Sequence, residues 1–461
     1  MELNLAQIAR WTEGEILQGS PQLKFNFYNF DSRLTQRSEL FFALKGQRDG
    51  HDFVLDAYKK GAGGAVVSRP IFGLPSDFAL VKVKDTLLAL QALAHQVLLS
   101  SKAKIVAITG SVGKTTTKEL TAAMLASRYR VLKSEKNYNN EIGLPLTLLR
   151  LSPQDEIVVV EMAMRGPGQI KKLTEIAPPD VAVLTGIHPV HLEFFPSMEE
   201  LAKAKQEILL GTKREGVAIL NGDDEWVMKM AAIWSGKRFL FGFADYCQLK
   251  AKRIPHLDFN GLKVEVEFKG HNFNLRFPFF YESSLYNLLA AWSVAQLFSI
   301  PADEIIRVAE SAHPEPGRGQ LFHLDPDIKL IDDTYNSNPY ALKEALRSLG
   351  KLPAKRRLAV LGDMLELGPQ ASFFHREVGK KLVEYNWHLL FTVGELSLEI
   401  AAGAKEAGLS QTSISSFKDS LLAAEALDKI LEPGDLVLVK GSRAMKMEKV
   451  VDYLKAKRGG Q

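Results

Sequence analysis

The chain has 461 residues, a length that leads us to expect about three domains. Hydrophobic residues make up 46% and charged residues 24%, the balance of a globular protein with a buried core. The net charge of +4 is too small to argue for a nucleic-acid partner, the single cysteine excludes an internal disulfide framework or a cysteine-based zinc site, and no apolar run approaches the ~20 residues of a membrane span.

The first residues, MELNLAQIARWTEGEI, include acidic side chains and no long apolar core, so no signal peptide is expected. A cytoplasmic, monomeric enzyme is the working expectation. Residues 1–83 read as a small mixed domain. Leu3, Leu5, Ile8 and Ala9 have helical spacing, and residues 39–44 are a buried-strand run ending in a turn at Lys45-Gly46. Asp49-Gly50-His51-Asp52-Phe53 reads as a loop into a helix, and residues 62–67 and 78–83 as further strands. By composition alone, Asp31-Ser32-Arg33 is a solvated turn with a local ion pair. Residues 86–99 predict a helix leading to the next domain.

Residues 105–108 form a β-branched run suited to a buried parallel strand. Thr109-Gly110-Ser111-Val112-Gly113-Lys114-Thr115 comes at once after it, and then a helix through residues 118–127. The core ends like a P-loop but is two residues shorter than G-x-x-x-x-G-K-[ST], with Thr109 or Ala107 expected in the place of the first glycine. Glycines let backbone N–H groups approach phosphate oxygens, and the helix N-terminus adds partial positive charge. Lys114 would reach the β- and γ-phosphates, and the Thr115 hydroxyl would hold Mg²⁺. The expected ATP cradle is therefore Gly110, Ser111, Val112, Gly113, Lys114, Thr115 and Thr116. The alternative is a Gly-rich turn with surface threonines.

Residues 130–132 are a strand candidate, residues 137–143 a polar loop, and residues 144–151 a helix with Pro145 in its first turn. The apolar strand at 156–160 delivers Glu161 at its C-terminal end, where ligands of open α/β sheets sit. Beside a P-loop, that carboxylate is a candidate Mg²⁺ ligand rather than a helix cap. A strand at 180–185 precedes a loop with His188, His191 and Glu193. The helix at 198–210 carries Lys203 and Lys205, and a strand comes next at 217–220. This alternation predicts a doubly wound parallel sheet over residues 105–225. Residues 240–280 read as short strands with a hairpin at Asn260-Gly261, an antiparallel appendage. The break His313-Pro314-Glu315-Pro316-Gly317 marks a boundary. Strands at 329–331, 357–361, 389–393 and 436–439, with a helix at 340–349, then predict a second parallel sheet without a P-loop. The expected domains are 1–83, 84–312 and 313–461, with ATP between the last two. There Asp333 would meet a ribose, and Arg318 or Lys440 would meet phosphate.

Together these motifs resemble the Mur ligase family, ATP-dependent amide-forming enzymes of peptidoglycan synthesis, over nearly the whole chain. The telling pieces are Asp31-Ser32-Arg33, Phe42-Ala43-Leu44-Lys45-Gly46, Asp49-Gly50-His51, the P-loop, the loop at 137–143 and His191-Leu192-Glu193. In the last third they are Asp332-Asp333-Thr334-Tyr335-Asn336-Ser337-Asn338-Pro339, Gly362-Asp363-Met364-Leu365-Glu366-Leu367-Gly368 and Lys440-Gly441-Ser442-Arg443. The resemblance implies an α/β protein of three domains: a small mixed N-terminal domain, a central P-loop domain on a doubly wound parallel sheet, and a Rossmann-like C-terminal domain. Two of the C-terminal stretches resemble the branch whose substrates are UDP-N-acetylmuramoyl-tripeptide and D-alanyl-D-alanine. Reaction through an acyl phosphate, releasing ADP and phosphate, is implied.

The resemblance also implies residue roles. Ser32, Arg33, Lys45 and Gly46 would hold the UDP end of the precursor, with Asn140, Asn336 and Asn338 as further substrate contacts. Lys114, His191 and Lys205 would be catalytic, and Thr115, Glu161, His191 and Lys205 would hold Mg²⁺. Lys205 matches the family lysine that carries CO₂ as a carbamate. Asn287, Arg318, Asp333 and Tyr335 would face the adenosine or phosphates. Three places depart from the family pattern: Gly186 where asparagine is usual, Gln169 for a glutamate, and Tyr281-Glu282-Ser283-Ser284 for Gly-x-His-Asn. A folylpolyglutamate synthetase-like ligase is the alternative, and it would lack the Asp31-Ser32-Arg33 domain. A non-catalytic P-loop switch would need no second α/β domain.

Overall fold

Asn4 starts the chain's first helix, Leu5–Trp11, through a capping box with Gln7. The computed structural model that shows this describes residues 1–135, 137–190, 192–252 and 256–459. The N-terminal strands form a sheet in the order Glu15–Gln18, Ala79–Lys82, Gly64–Val67, Leu40–Phe42, Tyr28–Asn29, with the first antiparallel and the rest parallel. Leu40, Phe41 and Phe42 are all buried because both sheet faces are covered. Leu40 and Phe42 pack with Leu5, Ile8 and Leu90, whereas Phe41 packs with Val54 and Ala57 on the other face.

The helix Thr86–Leu99, capped by Asp85, joins this unit to the central one. Its Leu90, Leu93 and Val97 share a core with Ile105 and Val158 of the central sheet. The parallel part of that sheet runs Lys237–Gly242, Val217–Asn221, Val181–Leu184, Lys104–Thr109, Ile157–Glu161, Val131–Lys133. The chain leaves the P-loop strand Lys104–Thr109 toward one edge and later returns to its other side. The P-loop therefore sits at the switch point, where a crevice opens beyond the strand ends. Ile105 and Ala107 face one core, and Val106 and Ile108 the other, against the helices Lys114–Leu125 and Ser284–Leu297.

The expected antiparallel appendage is a continuation of this sheet. Leu249–Ala251 pairs parallel with Lys237–Gly242, and Gly261–Phe268 then pairs antiparallel with Leu249–Ala251, His256–Asp258 and His271–Phe277. The C-terminal sheet runs Gln320–Leu324, Ile328–Asp333, Asp435–Lys440, Arg356–Gly362, Leu389–Val393, Ile414–Phe417, parallel except for its first edge strand. Its register sets Asp333 beside Lys440 at the C-terminal ends of neighbouring strands. Among the described residues no helix is long and apolar enough to cross a membrane.

Candidate active site

The P-loop strand continues through Thr109, so the loop begins only at Gly110. Ala107 is buried in the strand and takes no part in the loop, contrary to one expectation from the motif. Thr109 spends its hydroxyl on the Met162 carbonyl, 2.7 Å away. Two glycines shape the loop itself. Gly110 has φ +155°, and a Cβ on it would stand 2.0 Å from Thr185 Oγ1. Gly113 has φ +80°, and a Cβ there would lie 2.1 Å from Asn287 Oδ1. Neighbours hold the loop on every side. Ser111 N–H donates to the Gly186 carbonyl (2.8 Å), Ser111 Oγ bridges the His188 backbone, and Thr185 Oγ1 donates to the Val112 carbonyl (2.8 Å).

Lys114 opens the helix Lys114–Leu125 and donates to the Gly110 and Ser111 carbonyls at 3.0 and 3.3 Å. Burial lowers its pKa, and the Arg318 guanidinium lowers it further, against the pull of Glu161. Thr115 Oγ1 donates to Glu161 Oε2 at 2.8 Å, and Asn139 Nδ2 holds the other Glu161 oxygen at 2.8 Å. Arg318 crosses from the C-terminal side and donates to Thr115 Oγ1 at 3.1 Å, with its guanidinium 4.0 Å above the Tyr335 ring. Lys205 is 2% exposed and donates to the Gly110 carbonyl at 2.9 Å. Burial pushes its pKa well below the usual lysine range, and nearby Lys114 pushes the same way.

Lys205 lies outside the lining of the neighbouring cleft, but Lys114, Thr115, Asn139, Glu161, Arg318 and Tyr335 all face this space of about 970 Å³ between the central and C-terminal sheets. It is also lined by Thr116, Asn140, Asn287, Asn336 and Asn338. Asn140 Oδ1 accepts from Ile142 N and Gly143 N, and Asn338 Oδ1 caps the helix Pro339–Leu349. Lys440 does not point a free ammonium at a phosphate position, as one expectation had it. Its Nζ donates to Asp333 Oδ2 (2.7 Å) and to the Asn336 carbonyl (2.9 Å), because strand register sets it beside Asp333. Arg318 is the cation of that side that reaches the P-loop.

His191 lies outside the described residues. Among the described residues no three histidine, cysteine, aspartate or glutamate side chains gather as a metal site. Ser32, Arg33, Lys45 and Gly46 lie on the N-terminal domain, away from the lining of this cleft. Arg33 is exposed and pairs with Asp31 at 2.7 Å, the local ion pair that composition predicts.

Two departures from the family pattern have a physical account. A Cβ at Gly186 would stand 3.1 Å from His188 Nε2 and 3.3 Å from Asp224 Oδ2, so glycine there makes room for His188. His188 in turn stacks on Tyr340 of the C-terminal domain, with ring centroids 3.8 Å apart at 10°. Tyr281 donates its hydroxyl to Asp333 Oδ2 at 3.0 Å, tying the central domain to the strand end that carries Asp333. The third departure, Gln169, accepts from Arg165 N at 2.7 Å. Neither His188 nor Tyr281 stood out as a site residue in the sequence, since each finds its partner far along the chain.

A P-loop at a sheet switch point, faced across a polar cleft by a second α/β domain that supplies an arginine, defines a nucleotide-dependent enzyme working between two domains. Comparison with known proteins narrows this. A model of the Mur ligase middle domain matches residues 108–295, and one of the Mur ligase, glutamate ligase domain matches residues 317–443. The chain is 36% identical over 440 residues to the UDP-N-acetylmuramoyl-tripeptide–D-alanyl-D-alanine ligase of Synechocystis sp., covering 95% of this chain and 93% of that one. Its fold is similar to the crystal structure of MurF from Acinetobacter baumannii, with TM-score 0.90, 28% identity and 99% of each chain covered. It is also similar to the MurF ligase of Thermotoga maritima in complex with ADP, with TM-score 0.83, 29% identity and 94% and 97% of the two chains covered. The chain belongs to the Mur ligase family.

Proposed function

We propose that this protein joins D-alanyl-D-alanine to UDP-N-acetylmuramoyl-tripeptide, converting ATP to ADP and phosphate, as a monomer in the cytoplasm. The observation that carries this reading is the meeting of Lys114, Thr115 and Glu161 with Arg318 across one cleft. Full-length similarity to a ligase named for that reaction supports it. The folylpolyglutamate-type alternative lacks support, because the chain carries an N-terminal α/β domain with Asp31-Ser32-Arg33. The domains are taken as 1–83 for the UDP-linked precursor, 84–312 for ATP and 313–461 for the far side of the cleft.

The chemistry is set by the groups present. A carboxylate does not react with an amine near neutral pH. Its oxygen must first take the terminal phosphoryl group of ATP, with ADP leaving. The amine then attacks the acyl carbon, and phosphate departs. Lys114 and Arg318 meet the charge that develops on the transferring group, and the P-loop N–H groups fix the phosphates. Asn287 and Tyr335 would flank the rest of the nucleotide. Asp333, already held by Tyr281 and Lys440, would present its remaining oxygen to a ribose. Closure of the two domains around the cleft excludes the water that would hydrolyse the acyl phosphate.

Thr115 and Glu161 fit Mg²⁺, since their oxygens are hard donors already 2.8 Å apart at the phosphate end of the cleft. The ion, when bound, neutralises phosphate charge. Lys205 and His191 would complete its surroundings, His191 on the strength of the resemblance. Buried and inclined to be neutral, Lys205 suits reaction with CO₂ to a carbamate, with loss of a proton. Phosphate release measured with ATP and both substrates tests the reading. Release should require the tripeptide and the dipeptide together, and Lys114→Ala should lower it by about 10²–10³ while the protein stays folded. Release indifferent to the dipeptide would refute the assignment.

A further inference from the structure

The loop between the strand Ile328–Asp333 and the helix Pro339–Leu349 is closely tied by its own hydrogen bonds. Asp332 accepts from Thr334, Asp333 accepts from Tyr281 and Lys440, and Asn338 caps the helix. Ser337 is the exception. Its side chain is buried, at 3% exposed, and its Oγ has no hydrogen-bond partner among the described residues. A buried hydroxyl left unpaired costs free energy, and native proteins rarely accept that without a use. Among the described residues four other buried side-chain atoms share this condition, on Thr121, Trp292, Arg357 and Glu448, and none of those residues lines the cleft, whereas Ser337 does.

Ser337 directly precedes the cap of an eleven-residue helix, whose N-terminal end favours an anion. Arg443 lines the same cleft with a largely exposed side chain, 3.6 Å from Glu448. Lys440 is tightly paired with Asp333 and Arg318 reaches across to Thr115, whereas Arg443 makes a longer, exposed ion pair with Glu448 that leaves its guanidinium open to an anion in the cleft. An anionic group is thus matched by one hydroxyl donor, one helix end and one guanidinium, all on the C-terminal side. The nucleotide phosphates are met on the other side, at the P-loop. The UDP-linked substrate would enter from the N-terminal domain.

We propose that Ser337 is a specificity-determining residue for the incoming amine substrate, its hydroxyl donating to that substrate's free carboxylate. This rests on the ligase reading above. The dipeptide must place its amine at the acyl carbon and its carboxylate away from the phosphates, and the Ser337 end of the helix provides that second anchor. A site that hydrogen-bonds one substrate group discriminates sharply against an analogue lacking it.

The test is steady-state phosphate release by wild type, Ser337→Ala and Ser337→Thr, with D-alanyl-D-alanine and with its C-terminal amide. Ser337→Ala should raise the KM for the dipeptide about tenfold, with kcat changed less than about twofold and the KM for ATP and for the UDP precursor unmoved. Wild type should already bind the amide weakly, and Ser337→Ala should add little to that weakness. Ser337→Thr keeps the hydroxyl and should recover most of the dipeptide affinity. An unchanged dipeptide KM in Ser337→Ala would overturn the proposal, and so would an equal rise for acid and amide. A wild-type enzyme with no dipeptide-dependent release would instead overturn the ligase reading, and this proposal with it.

Discussion

Arg318 of the C-terminal domain donates to Thr115 Oγ1 on the P-loop helix at 3.1 Å, while its guanidinium lies 4.0 Å over the Tyr335 ring. One side chain thus links the second domain to the residue expected to hold Mg²⁺. Arginine suits this position because its planar fork can stack on an aromatic ring and still donate at its edge. Arg318→Ala should raise the KM for ATP about tenfold and lower kcat by about 10². Arg318→Lys should recover only part of this, since an ammonium cannot reproduce both contacts. Kinetics of phosphate release at varied ATP will decide. Wild-type values in Arg318→Ala would remove Arg318 from the nucleotide site.

On the N-terminal domain, Arg33 is exposed and ion-paired with Asp31, and a pair so open to solvent is weak enough for a diphosphate to compete for the guanidinium. Calorimetry on Arg33→Ala should show weaker binding of the UDP-linked precursor and unchanged binding of ATP. An equal loss for both ligands would contradict a division of labour between the domains.

Lys205 should act as an anion. A second ammonium buried beside Lys114 would repel a divalent ion bound at Thr115 and Glu161. Lys205→Ala should be nearly inactive and partly rescued by formate or acetate, which can refill the vacated space as small carboxylates. Full activity of the unrescued variant would rule this role out.

The His188–Tyr340 stack should weaken in acid. Burial lowers the His188 pKa below its ordinary 6.5, against the pull of Asp224. With the folded value depressed, the unfolded chain binds the proton first. The contribution of His188 is therefore complete above about pH 6.5 and is lost as pH falls through the folded value. His188→Phe keeps a stacking ring without a titration. Between pH 7 and 5, urea unfolding should show a smaller loss of stability in His188→Phe than in wild type. Parallel curves for the two proteins would remove His188 from the pH response.

Features that depend on neighbours in sequence were legible before the structure. The β-branched run into Gly110 specified the P-loop strand, and the strand at 157–161 delivered Glu161 to the sheet's C-terminal edge. The helix Ser284–Leu297 passed unnoticed because it is buried on most sides, so its apolar residues form no stripe. Asn287 was matched by the family pattern alone. Only the fold shows why Gly113 must lack a side chain opposite it. Lys440 looked free for phosphate because strand register, which pairs it with Asp333, cannot be read from one strand. The Arg318–Thr115 and His188–Tyr340 contacts join distant parts of the chain and left no local trace.

The central claim is that the cleft activates a carboxylate by phosphoryl transfer from ATP. It is tested most directly by the fate of oxygen. UDP-N-acetylmuramoyl-tripeptide carrying ¹⁸O in its terminal carboxylate is turned over with ATP and D-alanyl-D-alanine, and the released phosphate is analysed by mass spectrometry. An acyl phosphate requires one labelled oxygen to leave with each phosphate and the other to remain in the new amide. Phosphate free of label, alongside normal product formation, would contradict the account.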